Sequence, residues 1–351
     1  MIPEMEQGHR RAGIPVSGSR WRDLHIQGEA LDGIVFHRCA FDRVVLLEAS
    51  LRGAVLVECE LNALVLDGCE VSDLTLVGCR GSGLELVGKP FRSLVATRCR
   101  LDTIEIGAEG DRLIVSEGTI GRLVLGPGAE RQRQLTVSGA EIGTVAAPGA
   151  SWEQASLVGF DLARLDAPRG RFRASSFIES RGDAADLSGL AFESCNFFGS
   201  SLRGARIRHA RESIFASCEM SDADLEGAQL EGAIFPEAVL EGARMARANI
   251  GGALFPEATL RGADLRDAAA PRSVWSGADL RGARAPGLEA PWGVFRNARM
   301  DGADLAGADL RHADLCGVDE ALDGARLDHA RRTTERKAER ERAFARGAQP
   351  C

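Results

Sequence analysis

Residues 253–267 read Ala-Leu-Phe-Pro-Glu, Ala-Thr-Leu-Arg-Gly, Ala-Asp-Leu-Arg-Asp. These are three five-residue units, and each begins with alanine and carries a large apolar residue at its centre. The same spacing runs in phase from Phe215 to Leu315. It fits neither the period of a helix nor that of a strand. The pattern indicates a chain that turns a corner after every fifth residue, with the central residue and the small residue two places before it pointing inward.

Large aromatic residues recur at every fourth unit of this stretch, a step of twenty residues. If four units close one coil, residues twenty apart stack like neighbouring strands, about 4.8 Å apart. Between Ile207 and Phe215 the phase slips by three residues, which we interpret as an insertion at a bulged corner. On that interpretation, the predicted aromatic ladder of the core contains Phe172, Phe192, Phe215, Phe235, Phe255, Trp275 and Phe295.

Units such as Ala-Asp-Leu-Arg-Gly (278–282) and Ala-Asp-Leu-Ala-Gly (303–307) resemble those of the pentapeptide-repeat family. This resemblance implies a right-handed quadrilateral β-helix, an all-β solenoid with four pentapeptides per coil. The last residues lack the pentapeptide phase and are rich in charge, which predicts a short C-terminal α-helix capped by Thr334.

The repeat style changes along the chain. In the amino-terminal half, Cys39, Cys59, Cys79 and Cys99 lie twenty residues apart at inward positions, beside many leucines. We predict one long solenoid with a weak middle. Its predicted parts are a flexible N-terminal segment (1–20), a Leu/Cys-type β-helix (21–106), irregular coils with loops (107–156), an Ala-Asp-Leu-type β-helix (157–330) and a charged helical tail (331–351).

Composition excludes several classes of protein. No apolar run is long enough for a membrane-spanning helix, and the first residues do not form a signal peptide. We therefore predict a cytoplasmic protein whose cysteines are reduced packing residues. Catalytic motifs, Cys-x-x-Cys pairs and phosphate-binding loops are missing from the sequence, so we expect no enzyme activity, no cofactor and no metal site.

Charge is divided unevenly along the chain. The formal net charge is −8, of which the tail from residue 331 contributes +4, leaving −12 on the remainder. The tail has two open interpretations. It is either a cap over the edge of the last coil or a helix that pairs two subunits in a homodimer, as in several pentapeptide-repeat proteins.

One outward column of the Ala-Asp-Leu half is apolar. It consists of the residues that precede the aromatic ladder, which are Ile214, Ile234, Leu254, Val274 and Val294. A column of this kind either stiffens a flat face or forms a strip that binds a protein. The corresponding column on another face alternates in charge (Asp224, Arg244, Asp264, Arg284, Asp304), which we interpret as a structural device.

Two functions follow from these features. The first is a scaffold or adaptor that binds a protein partner through a flat face; in length and layout the chain also resembles accessory proteins of bacterial type VI secretion. The alternative is a DNA mimic, because shorter members of the family imitate duplex DNA and bind DNA gyrase or topoisomerase IV. We expect neither direct nucleic-acid binding nor a membrane interaction.

Overall fold

The computed structural model describes residues 15–126, 131–318, 322, 326, 328–329 and 331–332. The chain divides into two compact units, residues 1–177 and 178–351. Within each unit, short parallel strands and bridges pair with residues mostly twenty positions further along the chain. Because four pentapeptides make one such step, the predicted four-sided β-solenoid is confirmed.

The first unit is the more strand-rich. Its strands are β1 (Pro15–Ser17), β2 (Arg20–Arg22), β3 (His25–Gln27), β4 (Val35–His37), β5 (Ala40–Leu47), β6 (Ser50–Arg52), β7 (Val55–Val57), β8 (Glu60–Asp67), β9 (Glu70–Ser72), β10 (Leu74–Val77), β11 (Arg80–Val87), β12 (Phe91–Gly107), β13 (Gly110–Leu125), β14 (Arg131–Ser138), β15 (Glu141–Ala146), β16 (Ser151–Glu153), β17 (Ser156–Val158), β18 (Leu165–Asp166) and β19 (Arg171–Arg173). A single turn of 3-10 helix covers Leu162–Arg164.

The second unit is built mainly from tight turns joined by single-residue bridges. Longer pairings occur only locally among its described residues, at β20 (Ala191–Glu193), β21 (His209–Arg211), β22 (Asp314–Leu315) and β23 (Arg331–Arg332). The predicted C-terminal helix (331–351) lies outside the described residues, apart from Arg331–Arg332, which form a strand.

The solenoid begins earlier than predicted. Strand β1 pairs with β4, and Arg20–Arg22 pairs with β5. The prediction of a flexible segment over residues 1–20 is therefore wrong for residues 15–20, where Val16 is buried as an inward residue. Residues 1–14 lie outside the described part of the chain.

The coils of the region 107–156 differ in length, which explains why the repeat frays in the sequence. Phe91 pairs with Gly110, a step of nineteen residues, and Leu113 pairs with Leu135, a step of twenty-two. Between these irregular steps the strands stay in parallel register, with Leu, Ile and Val inward. The coils continue through this region, and their irregularity is one of length.

The inward cysteines of the first unit are free and buried. Their thiols donate hydrogen bonds to carbonyl oxygens of the preceding coil, as from Cys59 Sγ to Phe36 O at 3.4 Å and from Cys79 Sγ to Leu56 O at 3.3 Å. A small side chain with a weak donor therefore suits this position. Cys316 is instead disulfide-bonded, so the prediction of reduced cysteines does not hold there.

The core of the second unit contains a continuous stack of aromatic rings. Successive centroids lie 4.2–5.8 Å apart with interplanar angles of 3–9°. The stack consists of Phe197, Phe215, Phe235, Phe255, Trp275 and Phe295. The predicted ladder is therefore correct from Phe215 onward.

The same ladder is wrong at Phe172 and Phe192. Phe192 pairs with Ala210, and Phe197 is the residue that stacks on Phe215. Phe172 belongs to the first unit, where it stacks on Trp152 at 4.4 Å.

The slip that caused this error is a deletion of two residues, not an insertion of three. Asn196 pairs with Ile214, a step of eighteen residues. The side centred on Ile207 has lost its two corner residues, so the next inward residue, Ala210, follows after only three positions. Arg208 then occupies the place where most repeats carry a buried alanine.

The close approach of two coils at Gly83 yields the first testable prediction. Gly83 has φ of +139°, and a Cβ atom there would overlap the backbone carbonyl oxygen of Thr103. We expect Gly83→Ala to lower the free energy of unfolding by about 1–3 kcal/mol, because the backbone must shift. Urea unfolding followed by circular dichroism would measure the loss.

Gly53→Ala is the matched control for this prediction. Gly53 also has a positive φ (+65°), but a Cβ atom added there would have no other atom within 4 Å. Equal urea midpoints for the two variants would contradict the role of the close contact at Gly83.

Candidate protein-docking face

The predicted apolar column exists in the structure. Parallel bridges join Ile214 to Ile234, Ile234 to Leu254, Leu254 to Val274 and Val274 to Val294. Asn196 precedes the column and Asp314 follows it, so a polar residue bounds each end. All five predicted residues are therefore brought together on one face.

These five side chains are less exposed than the sequence suggested. Ile214 at the end of the column is 37% exposed. The other four side chains are half-buried and therefore less exposed than Ile214. Neighbours one coil apart cover one another, so the column presents a strip of side-chain edges.

A second apolar column runs parallel to the first on the same face. It is formed by the residues that follow the central aromatic ring, and backbone hydrogen bonds such as Glu179 N to Phe198 O and Gly199 N to Ala216 O set its register. Phe198 is 47% exposed. Its members are Ile178, Phe198, Ala216, Pro236 and Pro256. We call these ten residues, five from each column, the apolar face.

The second column was not predicted from the sequence as a continuous column. Pro236 and Pro256 flank the predicted column, but Ile178 and Phe198 lie on the other side of the two-residue deletion. Treating the slip as an insertion moves them to a different side of the coil. The residue that marks this irregularity in the sequence is Arg208, a charged residue at a repeat position that is otherwise usually alanine.

An exposed aromatic stack borders one end of the apolar face. Trp292 is 58% exposed, lies two residues before Val294 and adopts φ of +63°. Its ring stacks on that of His312 at 4.1 Å, and His312 stacks on His329 at 5.1 Å. A tryptophan with positive φ is rare and strained, so the corner holds this ring at the surface against a conformational preference.

Two carboxylates border the opposite edge. Glu237 and Glu257 follow Pro236 and Pro256 at the corner, and both are exposed. Within the described part of the chain, no arginine, lysine or histidine lies within ion-pair distance of either carboxylate. The apolar face is therefore negative along this edge.

Several carboxylates on the other faces of the second unit are paired with arginine. In Ala-Asp-Leu-Arg units the arginine makes a two-pronged contact with the aspartate, as from Arg266 Nε and Nη2 to Asp264 at 2.8 and 2.6 Å. Arg281 binds Asp279 and Arg311 binds Asp309 in the same way. Arg281, helped by Arg261, holds the pKa of Asp279 well below its usual range. The recurring Asp-Leu-Arg sequence is thus an ion pair within one side of the coil.

Asp224 is the most heavily paired of these groups. It is only 8% exposed and lies near Arg206, Arg208 and Arg244, with N–O distances of 3.1, 3.0 and 3.4 Å. Burial alone would raise its pKa, but hydrogen bonds from Arg208 and Arg206 outweigh that effect and lower it to about 2. Arg208 also donates to the carbonyl oxygens of Ile207 and Asp224, so this cluster ties the shortened side to its neighbour.

The described residues contain no group of His, Cys, Asp or Glu side chains arranged to hold a metal ion. Within the same residues, no helix is long and apolar enough to cross a membrane. One polar hollow is lined by Arg92, Arg112, Arg133, Asp111 and Glu153, among others. Its charges largely face one another, as in the Arg133–Asp111 contact at 3.7 Å.

Comparison with known families supports this description of the repeat. A family model described as pentapeptide repeats matches residues 223–262, 258–287 and 293–319, with eight copies. Residues 223–319 of the chain contain pentapeptide repeats. All the matched residues lie in the second unit, where the Ala-Asp-Leu style dominates.

Solved structures give weaker likenesses. The chain is similar to QnrB1, described as a plasmid-mediated fluoroquinolone resistance protein, with 20% identity over 56% of this chain and 98% of that chain and a TM-score of 0.36. It is also similar to HetL of the cyanobacterium Nostoc, described as involved in heterocyst differentiation regulation. That match has 24% identity over 57% of this chain and 86% of that chain and a TM-score of 0.34. No curated protein matches the chain.

Proposed function

We propose that this chain is a non-enzymatic pentapeptide-repeat scaffold or adaptor that binds a protein partner through the apolar face. The observation that supports the proposal is the presence of two adjacent apolar columns on one face. In three successive coils both outward positions are apolar, namely Ile214 with Ala216, Ile234 with Pro236 and Leu254 with Pro256. A contiguous outward-facing apolar patch on a regular surface is typical of an interaction site.

The finer parts of the proposal rest on the sequence. The cytoplasmic location is inferred from the seven buried cysteines that form no disulfide, since reducing compartments keep thiols reduced. The disulfide of Cys316 does not follow this pattern. A role beside a bacterial secretion system and a homodimer contact through the tail stay predictions. The tail beyond Arg332 lies outside the described residues.

The apolar face can be tested with the double variant Leu254→Asp and Val274→Asp. A photo-reactive residue in place of Phe198 would first identify the partner, and calorimetry with the purified partner would then measure its affinity. We expect the double variant to bind about 100-fold more weakly, since each buried charge removes a central apolar contact. Asp314 occupies the same column, so the solenoid tolerates aspartate there.

The matched control is Val239→Asp with Thr259→Asp. These two residues hold the same repeat position on the neighbouring face and are also half-buried. We expect the control to change the affinity by less than threefold. Equal losses for both double variants, or no loss for either, would rule out the apolar face as the binding site.

The alternative function, a DNA mimic that binds DNA gyrase, depends on a continuous acidic surface. The carboxylates of Asp224, Asp264 and Asp279 are instead paired with arginines, which weakens such a field. A supercoiling assay with purified gyrase distinguishes the two functions. Inhibition or protection of gyrase that falls steeply with salt would favour the mimic, whereas an adaptor leaves supercoiling unchanged.

A further inference from the structure

The backbone of the first column of the apolar face is engaged in hydrogen bonds within the solenoid. Ile234 N donates to Ser213 O and Leu254 N to Ala233 O, while Phe235 N donates to Leu254 O. The same ladder continues through Val274 and Val294. In the second column Pro236 and Pro256 have no N–H group, so an extended peptide laid on this face would find few backbone partners and β-strand addition is disfavoured there. A helix satisfies its own backbone hydrogen bonds and needs no backbone partner from the face.

The length of the apolar face also suits a helix. The face spans seven successive coils from Ile178 to Val294. Six steps of about 4.8 Å give roughly 29 Å. At 1.5 Å per residue, a helix of about 19 residues has this length.

The width of the face points the same way. The two columns are two residues apart on one side of the coil, or roughly 7 Å. That width accommodates one helix, about 10 Å across with its side chains. With a length of roughly 29 Å and a width of roughly 7 Å, the face covers roughly 200 Å². A standard interface between two folded proteins buries roughly 800 Å² per partner, which is several times this area. The second column is apolar from Ile178 to Pro256 and the first from Ile214 to Val294. The apolar surface therefore runs obliquely across the face.

The charge at the border selects the flank of such a helix. Glu237 and Glu257 lie on one edge, one coil apart, and are exposed without a nearby cation among the described residues. The opposite edge carries glycine at Gly232 and Gly252 in the same coils, with Glu212 in the coil before and Arg272 in the coil after. A partner that places lysine or arginine on one side only would match this asymmetry.

Resting on the proposed docking function, we infer that the apolar face binds an amphipathic helix of about 19 residues. The helix has one narrow apolar stripe, and lysine or arginine on the flank that faces Glu237 and Glu257. Apolar residues three and four positions apart fill the spaces between the two columns. The basic flank fixes the direction in which the helix lies.

The test uses a displayed library of 19-residue helical peptides with a fixed leucine stripe and randomised flanks. Selection is made on the full-length chain, after depletion on the Leu254→Asp/Val274→Asp variant. We expect recovered peptides to carry lysine or arginine on one flank. Their affinity should fall about tenfold in a Glu237→Gln/Glu257→Gln variant, and at least tenfold when a central peptide residue becomes proline.

The control for charge is Glu241→Gln with Glu289→Gln, two exposed glutamates away from the face. It should leave peptide affinity within twofold. Failure to recover any peptide that needs Leu254 and Val274, recovery without basic enrichment, or insensitivity to proline would overturn the inference. Tighter peptide binding after removal of residues 333–351, or a concentration-dependent dimer lost with Leu254→Asp, would identify the chain's own tail or a second copy as the occupant.

The outcomes separate this inference from the proposed function. If the photo-cross-linked partner contacts the apolar face through a segment that is not helical, docking stands and the helix is wrong. If the double aspartate variant changes neither partner binding nor peptide binding, the docking function itself is wrong.

Discussion

Replacing Asp224 by asparagine is expected to lower the free energy of unfolding of the second unit by about 2–3 kcal/mol. The carboxylate is buried and pairs with Arg206, Arg208 and Arg244. Its removal leaves Arg208 without a carboxylate partner at the shortened side of the coil, whereas Arg206 and Arg244 keep Asp186 and Glu226. Urea unfolding followed by circular dichroism would measure the effect.

The same substitution predicts a change in pH dependence. The pKa of Asp224 is lowered from 3.8 to about 2, so its stabilising contribution is complete above pH 4. That contribution is lost as the pH falls from 4 towards 2, and amounts to about 2 kcal/mol at 1.36 kcal/mol per pKa unit. The asparagine variant should therefore lose less stability over this range than the unmodified chain.

Asp304→Asn is the control, because Asp304 lies in the same outward column as Asp224 but is exposed. It accepts a backbone hydrogen bond from Ala306 N, and it forms no ion pair with any of the described residues. We expect a change within about 0.5 kcal/mol. A loss as large as that of Asp224→Asn would show that the arginine cluster has no special role.

Replacing Phe235 by alanine is expected to cost about 3–5 kcal/mol. Its ring is fully buried and stacked on both sides, 5.0 Å from Phe215 and 4.8 Å from Phe255. Alanine would leave a cavity between two rings that the rigid coils cannot close. Urea unfolding, read through circular dichroism, would again report the loss.

Phe198→Ala provides the comparison for Phe235. Phe198 lies outward on the same face and is 47% exposed, so its removal should change stability by less than about 1 kcal/mol. It should nevertheless weaken partner binding, because Phe198 belongs to the apolar face. If the two alanine variants were equally stable, the aromatic stack would not be the source of the core's stability.

The period of the sequence predicts most of what the structure contains. A step of five residues determines which side chains point inward, and a step of twenty determines which ones stack. The column from Ile214 to Val294 follows from these two numbers alone, and the structure assembles it. Local sequence is sufficient here because each pentapeptide contacts only its neighbours in the stack.

The step of eight residues between Ile207 and Phe215 marks where this reasoning fails. Eight is five plus three, but it is also ten minus two, and the spacing of the apolar residues alone does not distinguish these sums. The structure decides through the pairing of Asn196 with Ile214. That choice moves Phe197 into the aromatic stack and Phe198 onto the apolar face. Exposure was also unpredictable, since the mutual coverage of stacked side chains depends on their conformations.

The two-residue deletion has a consequence for how such surfaces change. In this second unit, the count of residues alone assigns each side chain to a side of the coil. A net change other than a multiple of five shifts every later residue out of its inward or outward role, unless a corner absorbs it as at Arg208–Ala210. Insertion of twenty residues preserves every assignment and lengthens the apolar face by one step of about 4.8 Å. The reach of a bound segment could therefore be adjusted in whole coils without redesigning any contact.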